Sequence, residues 1–383
     1  MERRIYAADI VYSGVGLPLE NAGVAVSGAG STATIIGFAK LEALARQFPE
    51  APVQRLGRVI LPPPVNAHTH LDLTRVPFRA LPYPRWIPEH IVQNVALRGL
   101  EAAQEGLEVL QNSGIGAFGD IVAIEAVMDY LLTQSPLRGV AYWEVINANP
   151  DQADETIRAT VERVRRWRKL EQPKSVRLGL SPHTPFTVSG KLLQRLAEFA
   201  RLEGLPLQIH VGEHPAETEL FQTGAGALAE SLKVFRVPPF ETSWGRKPSA
   251  GLTPVKYLAE LGVLEAKPTL IHAVNVTDED VRIIAQYGCS VVSCPRSNHN
   301  LECGSIPWQL YAKHGVELAL GTDSSASGQS LDIREETSAA MRLLDIDLKH
   351  LVRWVVKGGY RALGMKPPVV QRGDTFSSLT VWE

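Results

Sequence analysis

Val65-Asn66-Ala67-His68-Thr69-His70-Leu71-Asp72 is the stretch on which the fold turns: an apolar, strand-like run from Pro64 to Ala67 passes directly into His68 and His70. Side chains two apart on a strand share a face, so both imidazoles can reach one ion. Similar short apolar runs recur downstream. The strand candidates are Pro64–Ala67, Gly116–Gly119, Gly139–Ile146, Val176–Leu180, Pro206–Ile209, Thr269–Ile271, Ser290–Ser293 and Val316–Leu320. Between them, Thr156–Leu170, Gly190–Glu203, Thr277–Tyr287 and Ser330–Leu344 carry apolar residues at helical spacing. About eight strand-and-helix units over roughly 300 residues have the size and alternation of an α/β (β/α)8 TIM-like barrel. A doubly wound open sheet alternates similarly, but no glycine-rich phosphate fingerprint follows the first strand, and the barrel is preferred.

Outside this alternation the texture changes. Asp9–Tyr12, Gly23–Val26 and Ala33–Ile36 are short strand-like pieces with Gly and Ser turns, and Gly373-Asp374-Thr375 leads into Leu379–Trp382. The two chain ends, residues 1–61 and 364–383, are expected to form a small β-sandwich domain beside a catalytic barrel of residues 62–363.

Composition removes several function classes. Hydrophobic residues make up 45% and charged residues 21% of 383, which excludes a disordered or fibrous chain. Lys plus Arg is 39 against 41 Asp plus Glu, and no basic cluster offers a footprint for nucleic acid or an anionic membrane. No apolar run resembles a signal peptide or approaches the roughly 18 residues of a membrane span, so a cytoplasmic protein is expected. Cys289, Cys294 and Cys303 contain no Cys-x-x-Cys pair, which argues against a disulfide framework and a sulfur-ligated zinc.

The chemistry lies at the strand ends. His210 closes the run Leu207-Gln208-Ile209 and Glu213 follows; His272 closes Leu270-Ile271; Leu320-Gly321-Thr322 leads into Asp323. Each alone has a plainer reading, as a packed or strand-closing core residue. A buried Glu213 would then still need a partner. In barrel enzymes the carboxyl ends of the strands build the site, so four strands ending in His or Asp on one edge point to a metal centre. Asn66 and Asp72 are expected to orient the first loop, and His214 is read as a solvated neighbour.

Taken together, Val65–Asp72, Ser181-Pro182-His183-Thr184-Pro185-Phe186-Thr187, His210 with Glu213, His272, Cys294-Pro295-Arg296-Ser297-Asn298 and Gly321-Thr322-Asp323 resemble the amidohydrolase superfamily. The resemblance covers the whole chain. It points to the branch of cytosine, guanine and S-adenosylhomocysteine deaminases and triazine hydrolases. It implies that His68, His70, His210 and Asp323 hold one divalent metal ion, zinc first and iron as the alternative. Binuclear members carry a carboxylated lysine at the end of strand four; Val176-Arg177-Leu178-Gly179-Leu180-Ser181 has none, so a single ion is expected. The resemblance further implies that Glu213 carries a proton to a ring nitrogen of the substrate, while His272 and Asp323 orient and deprotonate the attacking water. Ser181 and His183 lie in reach of the same pocket as substrate contacts. Trp86, on the long loop after the first strand, is a candidate for stacking on a planar base. Phe235–Pro254, between strands five and six, is a long loop expected to shape specificity.

The expected reaction is hydrolytic removal of an amino group, as ammonia, from an aminated purine nucleoside or related small heterocycle. S-adenosylhomocysteine deaminases carry a Gly-Gly-Arg-Leu stretch after strand three, whereas this chain runs Glu144-Val145-Ile146-Asn147-Ala148-Asn149-Pro150. Trp143-Glu144-Val145 and the Ser-Pro-His segment resemble more closely the aminodeoxyfutalosine deaminases of menaquinone biosynthesis. The alternatives are deamination of S-adenosylhomocysteine, methylthioadenosine, guanine or cytosine, hydrolysis of a triazine or cyclic amide, and a non-catalytic binding barrel. A homodimer is the expected assembly.

Overall fold

Strand chemistry divides the chain into two kinds of sheet in the computed structural model, which describes residues 2–173 and 175–383. Near the start, β1 (Arg3–Val11), β2 (Leu19–Ser27), β3 (Thr34–Lys40) and β4 (Val53–Leu61) pair with β13 (Thr380–Trp382) in the order β13-β4-β1-β2-β3. Only β1 with β4 is parallel; the other pairs are antiparallel.

The expected sandwich is corrected to one five-stranded sheet. Its two faces are covered by other means. Tyr6, Val24, Ile35 and Ile60 pack with Val370 and Leu379, while Ile5 and Ala25 pack under Leu44 of the helix Leu41–Gln47. With both alternating faces buried, no second sheet is required.

Parallel strands fill the middle of the chain. β5 (Val65–Thr69), β6 (Ala117–Val122), β7 (Arg138–Val145) and β8 (Val176–Pro182) form one four-stranded sheet; β9 (Gln208–Val211), β10 (Thr269–His272), β11 (Ser290–Ser293) and β12 (Leu318–Leu320) form another. Isolated parallel bridges join Leu180 to Leu207 and Thr69 to Asp323. Every residue of β5 and β6 is buried, as expected for strands covered on both faces.

Local signals set the intervening helices. Thr277 and Asp280 form a reciprocal capping box at the start of Asp278–Tyr287. Gly204, at φ 63°, supplies the left-handed residue that ends Gly190–Glu203. No helix among the described residues is long and apolar enough to cross a membrane.

One close approach ties the fold to the strand-end histidines. A Cβ on Gly321 would lie 2.7 Å from His68 Cβ and 2.9 Å from the His68 backbone N and O. Gly321→Ala must therefore push β12 away from β5. A loss of about 1–3 kcal/mol is expected, read as a lowered midpoint in thermal denaturation; an unchanged midpoint would show that the contact yields freely.

Candidate active site

The strand edges deliver four donor atoms to one point. His68 lies in β5 and His70 just beyond it, His210 lies in β9, and Asp323 follows β12. His210 Nε2 is 3.3 Å from His68 Nε2 and 3.4 Å from His70 Nε2. Asp323 Oδ1 is 3.6 Å and 3.5 Å from the same two nitrogens. Ligands about 2.1 Å from a common centre at tetrahedral angles stand about 3.4 Å apart, so this is the spacing of a single coordination sphere.

The proton positions agree with that geometry. His210 Nδ1 donates to the His183 carbonyl at 3.0 Å and His68 Nδ1 donates to Gln208 Oε1 at 3.1 Å. Burial, with the neighbouring histidines, holds His210 well below the ordinary imidazole range. In neutral rings both Nε2 atoms then present bare lone pairs to each other. Lone pairs 3.3 Å apart repel without a cation between them, and three imidazoles with one carboxylate suit zinc or iron. The residues present fit a divalent ion.

Asp323 is aimed through its other oxygen. Ser297 and Ser327 donate to Oδ2 at 2.6 Å and 3.1 Å, leaving Oδ1 for the histidines. The Asp323 backbone N–H donates to the His68 carbonyl at 3.0 Å. Asn66 holds the preceding residue, donating to Thr322 Oγ1 at 2.8 Å and accepting from its N–H at 3.1 Å. Asp72 faces elsewhere, paired with Arg98 at 2.6 Å. Both therefore orient the loop. Asp323 and His272 take positive φ values of 56° and 68°, a strain of about 1–3 kcal/mol each concentrated on this edge.

A second group abuts the first. Ligand atoms of Glu213, His272 and Asp323 lie within 4.8 Å of one another. His272 Nδ1 donates to Asn298 Oδ1 at 2.8 Å, which leaves Nε2 facing Glu213 Oε2 at 3.5 Å. Burial pushes His272 down to about 4, so the ring is a neutral acceptor. Glu213 is held from behind: Asn275 donates to its carbonyl at 2.7 Å, and Glu217 accepts from the Gly212 and Glu213 N–H groups at 2.8 Å each. Burial first, then the charges of Asp323 and Glu217, push the Glu213 carboxyl well above its usual range, with Tyr83 and Cys303 pulling it back. A carboxyl whose proton is held more tightly than usual is suited to general-acid work.

Residues 59–369 match the amidohydrolase family. The chain belongs to that family. It is 49% identical, over 99% of its length and 90% of the relative's, to the aminodeoxyfutalosine deaminase of Deinococcus radiodurans. A 5-methylthioadenosine/S-adenosylhomocysteine deaminase from Thermococcus onnurineus is 27% identical, covering 83% of this chain and 72% of that one. Helicobacter pylori aminofutalosine deaminase, solved with methylthio-coformycin, superposes with TM-score 0.75 at 19% identity, covering 97% and 90% of the two chains, which shows a shared fold. As an amidohydrolase, the protein is a hydrolase of carbon–nitrogen bonds with a His/Asp metal-binding cluster.

Not every expected contact reaches this amidohydrolase cleft. The cleft, about 140 Å3, is lined by His70, His183, His210, Glu213, His272 and Asp323 together with Trp86. His183 faces it, with Nδ1 2.8 Å from Thr187 Oγ1. Trp86 lines it while its indole N–H is spent on the Arg79 carbonyl at 3.0 Å. Ser181 Oγ is fully buried, has no hydrogen-bond partner among the described residues, and is not among the groups lining the cleft or the cavity beside it. It sits two residues before His183 on β8, one layer deeper below the cleft. His214 caps the helix Pro215–Thr223 through Nδ1 and stays outside the cleft.

Several supports had weaker sequence signals. Glu217 is the third residue of a helix opened by Pro215, a position where a glutamate commonly reaches back to free N–H groups. Gln208 and Asn298 have partners 140 and 26 residues away, so no spacing marks them. Gln208→Leu is expected to weaken metal binding about 10- to 100-fold by freeing the His68 ring, measured by competition with a chelator. Unchanged affinity would show that His68 needs no such anchor.

Proposed function

We propose that the chain is a deaminase of the 6-amino group of an adenine nucleoside, with 6-aminodeoxyfutalosine as its substrate. The observation that carries the reading is the buried carboxyl of Glu213, 3.5 Å from His272 and beside the histidine cluster. Likeness to the Deinococcus enzyme across nearly the whole chain supports the particular nucleoside. Its architecture is proposed as a closed (β/α)8 barrel of residues 62–363, joined through the Leu180–Leu207 and Thr69–Asp323 bridges, with 1–61 and 364–383 as a small companion domain.

His68, His70, His210 and Asp323 would hold one ion, zinc first and iron second. When bound, such an ion makes hydroxide available near neutral pH by lowering the pKa of water. Glu213 presents its proton to the ring nitrogen beside the aminated carbon, which makes that carbon electrophilic. His272 Nε2 and Asp323 orient the attacking water and accept its proton. Glu213, left as a carboxylate by that donation, takes the remaining hydroxyl proton of the tetrahedral adduct and passes it to the amine, which leaves as ammonia as the carbonyl forms. The proton taken up by His272 and Asp323 then returns to Glu213, so its carboxyl exchanges roles within one turnover. His183, pushed down to about 4 by burial, is neutral and offers a hydrogen bond to the base, while Trp86 closes one wall.

The test is a panel of 6-aminodeoxyfutalosine, S-adenosylhomocysteine, methylthioadenosine, guanine, cytosine and a chlorinated triazine on metal-analysed protein. Ultraviolet shift with ammonia release, and the highest kcat/KM for 6-aminodeoxyfutalosine, is expected. Chloride release or ring opening without ammonia would overturn the reaction, and a clear preference for guanine or cytosine would overturn the substrate.

A further inference from the structure

One short helix reaches all three reacting side chains. Pro295–Asn300 follows β11 and touches two of them directly. Ser297 donates to Asp323 Oδ2 at 2.6 Å, and Asn298 Oδ1 accepts from His272 Nδ1 at 2.8 Å. Asn300 Nδ2 donates at 2.7 Å to the carbonyl of Ser327, the other serine bound to Asp323. The Asn298 carbonyl accepts the Cys303 N–H at 2.8 Å, and the Cys303 thiol lies 3.9 Å from Glu213 Oε1. The Asp323 carboxylate, the His272 ring and the Glu213 carboxyl thus take their settings from the same six residues.

Six residues do not fix themselves. A helix this short is not stable alone, and the Cys294 side chain does not cap its start. The anchor is Arg296, next to Ser297. Its backbone N–H donates to Glu336 Oε1 at 2.9 Å and its Nε to Glu336 Oε2 at 2.8 Å, so one carboxylate grips both main chain and side chain. A terminal guanidinium nitrogen donates to the Ser330 carbonyl at 2.7 Å. Glu336, on the helix Ile333–Leu344, has no exposed side-chain surface, and the Arg296 side chain is 12% exposed. A buried pair of this kind bears a desolvation cost that an apolar pair of the same volume avoids, so stability alone does not account for it. What paired bonds to one carboxylate supply is direction, since they set both the distance and the angle of the helix.

We propose that Arg296 and Glu336 are positioning residues for deamination: their buried contact sets the helix Pro295–Asn300 and, through Ser297 and Asn298, aligns Asp323 Oδ1 with His272 Nε2 on the attacking water. Neither residue lines the cleft. The proposal rests on the deaminase reading and adds residues that act on the rate through other side chains.

Two variants and a control test it, each read by kcat and KM for 6-aminodeoxyfutalosine and by the visible spectrum of cobalt(II)-loaded protein, which reports the placing of Asp323. Arg296→Lys keeps the charge opposite Glu336 but loses the planar fork. The paired change Arg296→Met with Glu336→Leu removes both charges and is expected to melt near the wild-type temperature. Both should lower kcat about 10- to 100-fold, leave KM within about threefold, and shift the cobalt spectrum. The control is Glu317→Gln. Glu317 stands at the amino end of β12, opposite the end that leads to Asp323, and pairs with Arg353, Lys357 and Arg361 at 2.8, 3.0 and 3.2 Å. Its loss should lower the melting temperature and leave kcat and the spectrum unchanged.

Wild-type kcat in either test variant, or an equal fall in Glu317→Gln, overturns the proposal. A lowered kcat with an unmoved cobalt spectrum overturns it as well, because Asp323 would not have been displaced. Should the paired variant fail to fold, Arg296→Lys decides. If the wild-type protein releases no ammonia, the deaminase reading fails and the spectrum decides alone: a shift in Arg296→Lys that is absent from Glu317→Gln upholds the positioning, and any other result overturns it.

Discussion

Glu213→Gln is expected to lower kcat about 100- to 10,000-fold while leaving the protein folded and its metal content unchanged. The amide keeps the shape of the side chain, and the bonds that fix this segment run from Glu217 to the Gly212 and Glu213 backbone N–H groups, which the substitution leaves in place. What is lost is the proton. Burial and the charges of Asp323 and Glu217 push the carboxyl's pKa well above its usual range, and an amide has no acidic proton to give the ring. KM should move little, because the loss falls on the transition state. Circular dichroism and metal analysis of the variant provide the control. Turnover within a few-fold of wild type would remove Glu213 from the proton path.

Asp323→Asn is expected to cost about 1,000-fold or more in turnover and to weaken metal retention together with it. Here two functions share one carboxylate. Oδ2 is tied to Ser297 and Ser327 at 2.6 Å and 3.1 Å, so Oδ1 is the atom turned toward His68 and His70. An amide that keeps its oxygen toward the serine hydroxyls directs an NH2 group at the imidazole lone pairs; turned the other way, it still lacks the negative charge. Removing the ion from the wild-type protein by chelation should likewise abolish turnover and lower the melting temperature, since a ligand bound to the folded state alone stabilises it. Zinc or iron should restore both. Full activity in thoroughly chelated protein would contradict the assignment.

All eight parallel strands were legible as apolar runs, and the departures lie at their edges. β5 extends through Thr69, which pairs with Asp120 of β6, and so takes His68 into the strand itself. β12 begins at Leu318 because the Val316 N–H donates instead to the Tyr311 carbonyl at 2.9 Å, closing the preceding helix. Gly190–Glu203 was readable end to end because a glycine stops it. The sandwich was misread because alternation in the terminal strands reveals two covered faces but not what covers them. Here a short helix and the returning chain end do so.

The site divides in the same way. His68, His70, His210, Glu213, His272 and Asp323 end strands or follow them closely, so their convergence could be inferred from order alone. Ser181, two residues before His183, is buried in β8, a depth that residue spacing alone does not give. The groups that orient the ligands act across long sequence separations, such as Gln208 on His68 and Ser297 on Asp323, and single polar residues within apolar strands or loops carry no periodic signal.

The central claim is hydrolytic deamination of an adenine nucleoside in the cleft above the histidine cluster. The most direct measurement is turnover of 6-aminodeoxyfutalosine in 18O-labelled water by metal-loaded protein, with ammonia and product mass followed together. The account predicts one ammonia per product molecule, one 18O at the former amino carbon, and loss of both in Glu213→Gln. Product formed without ammonia, or no product from fully metal-loaded protein, would contradict it.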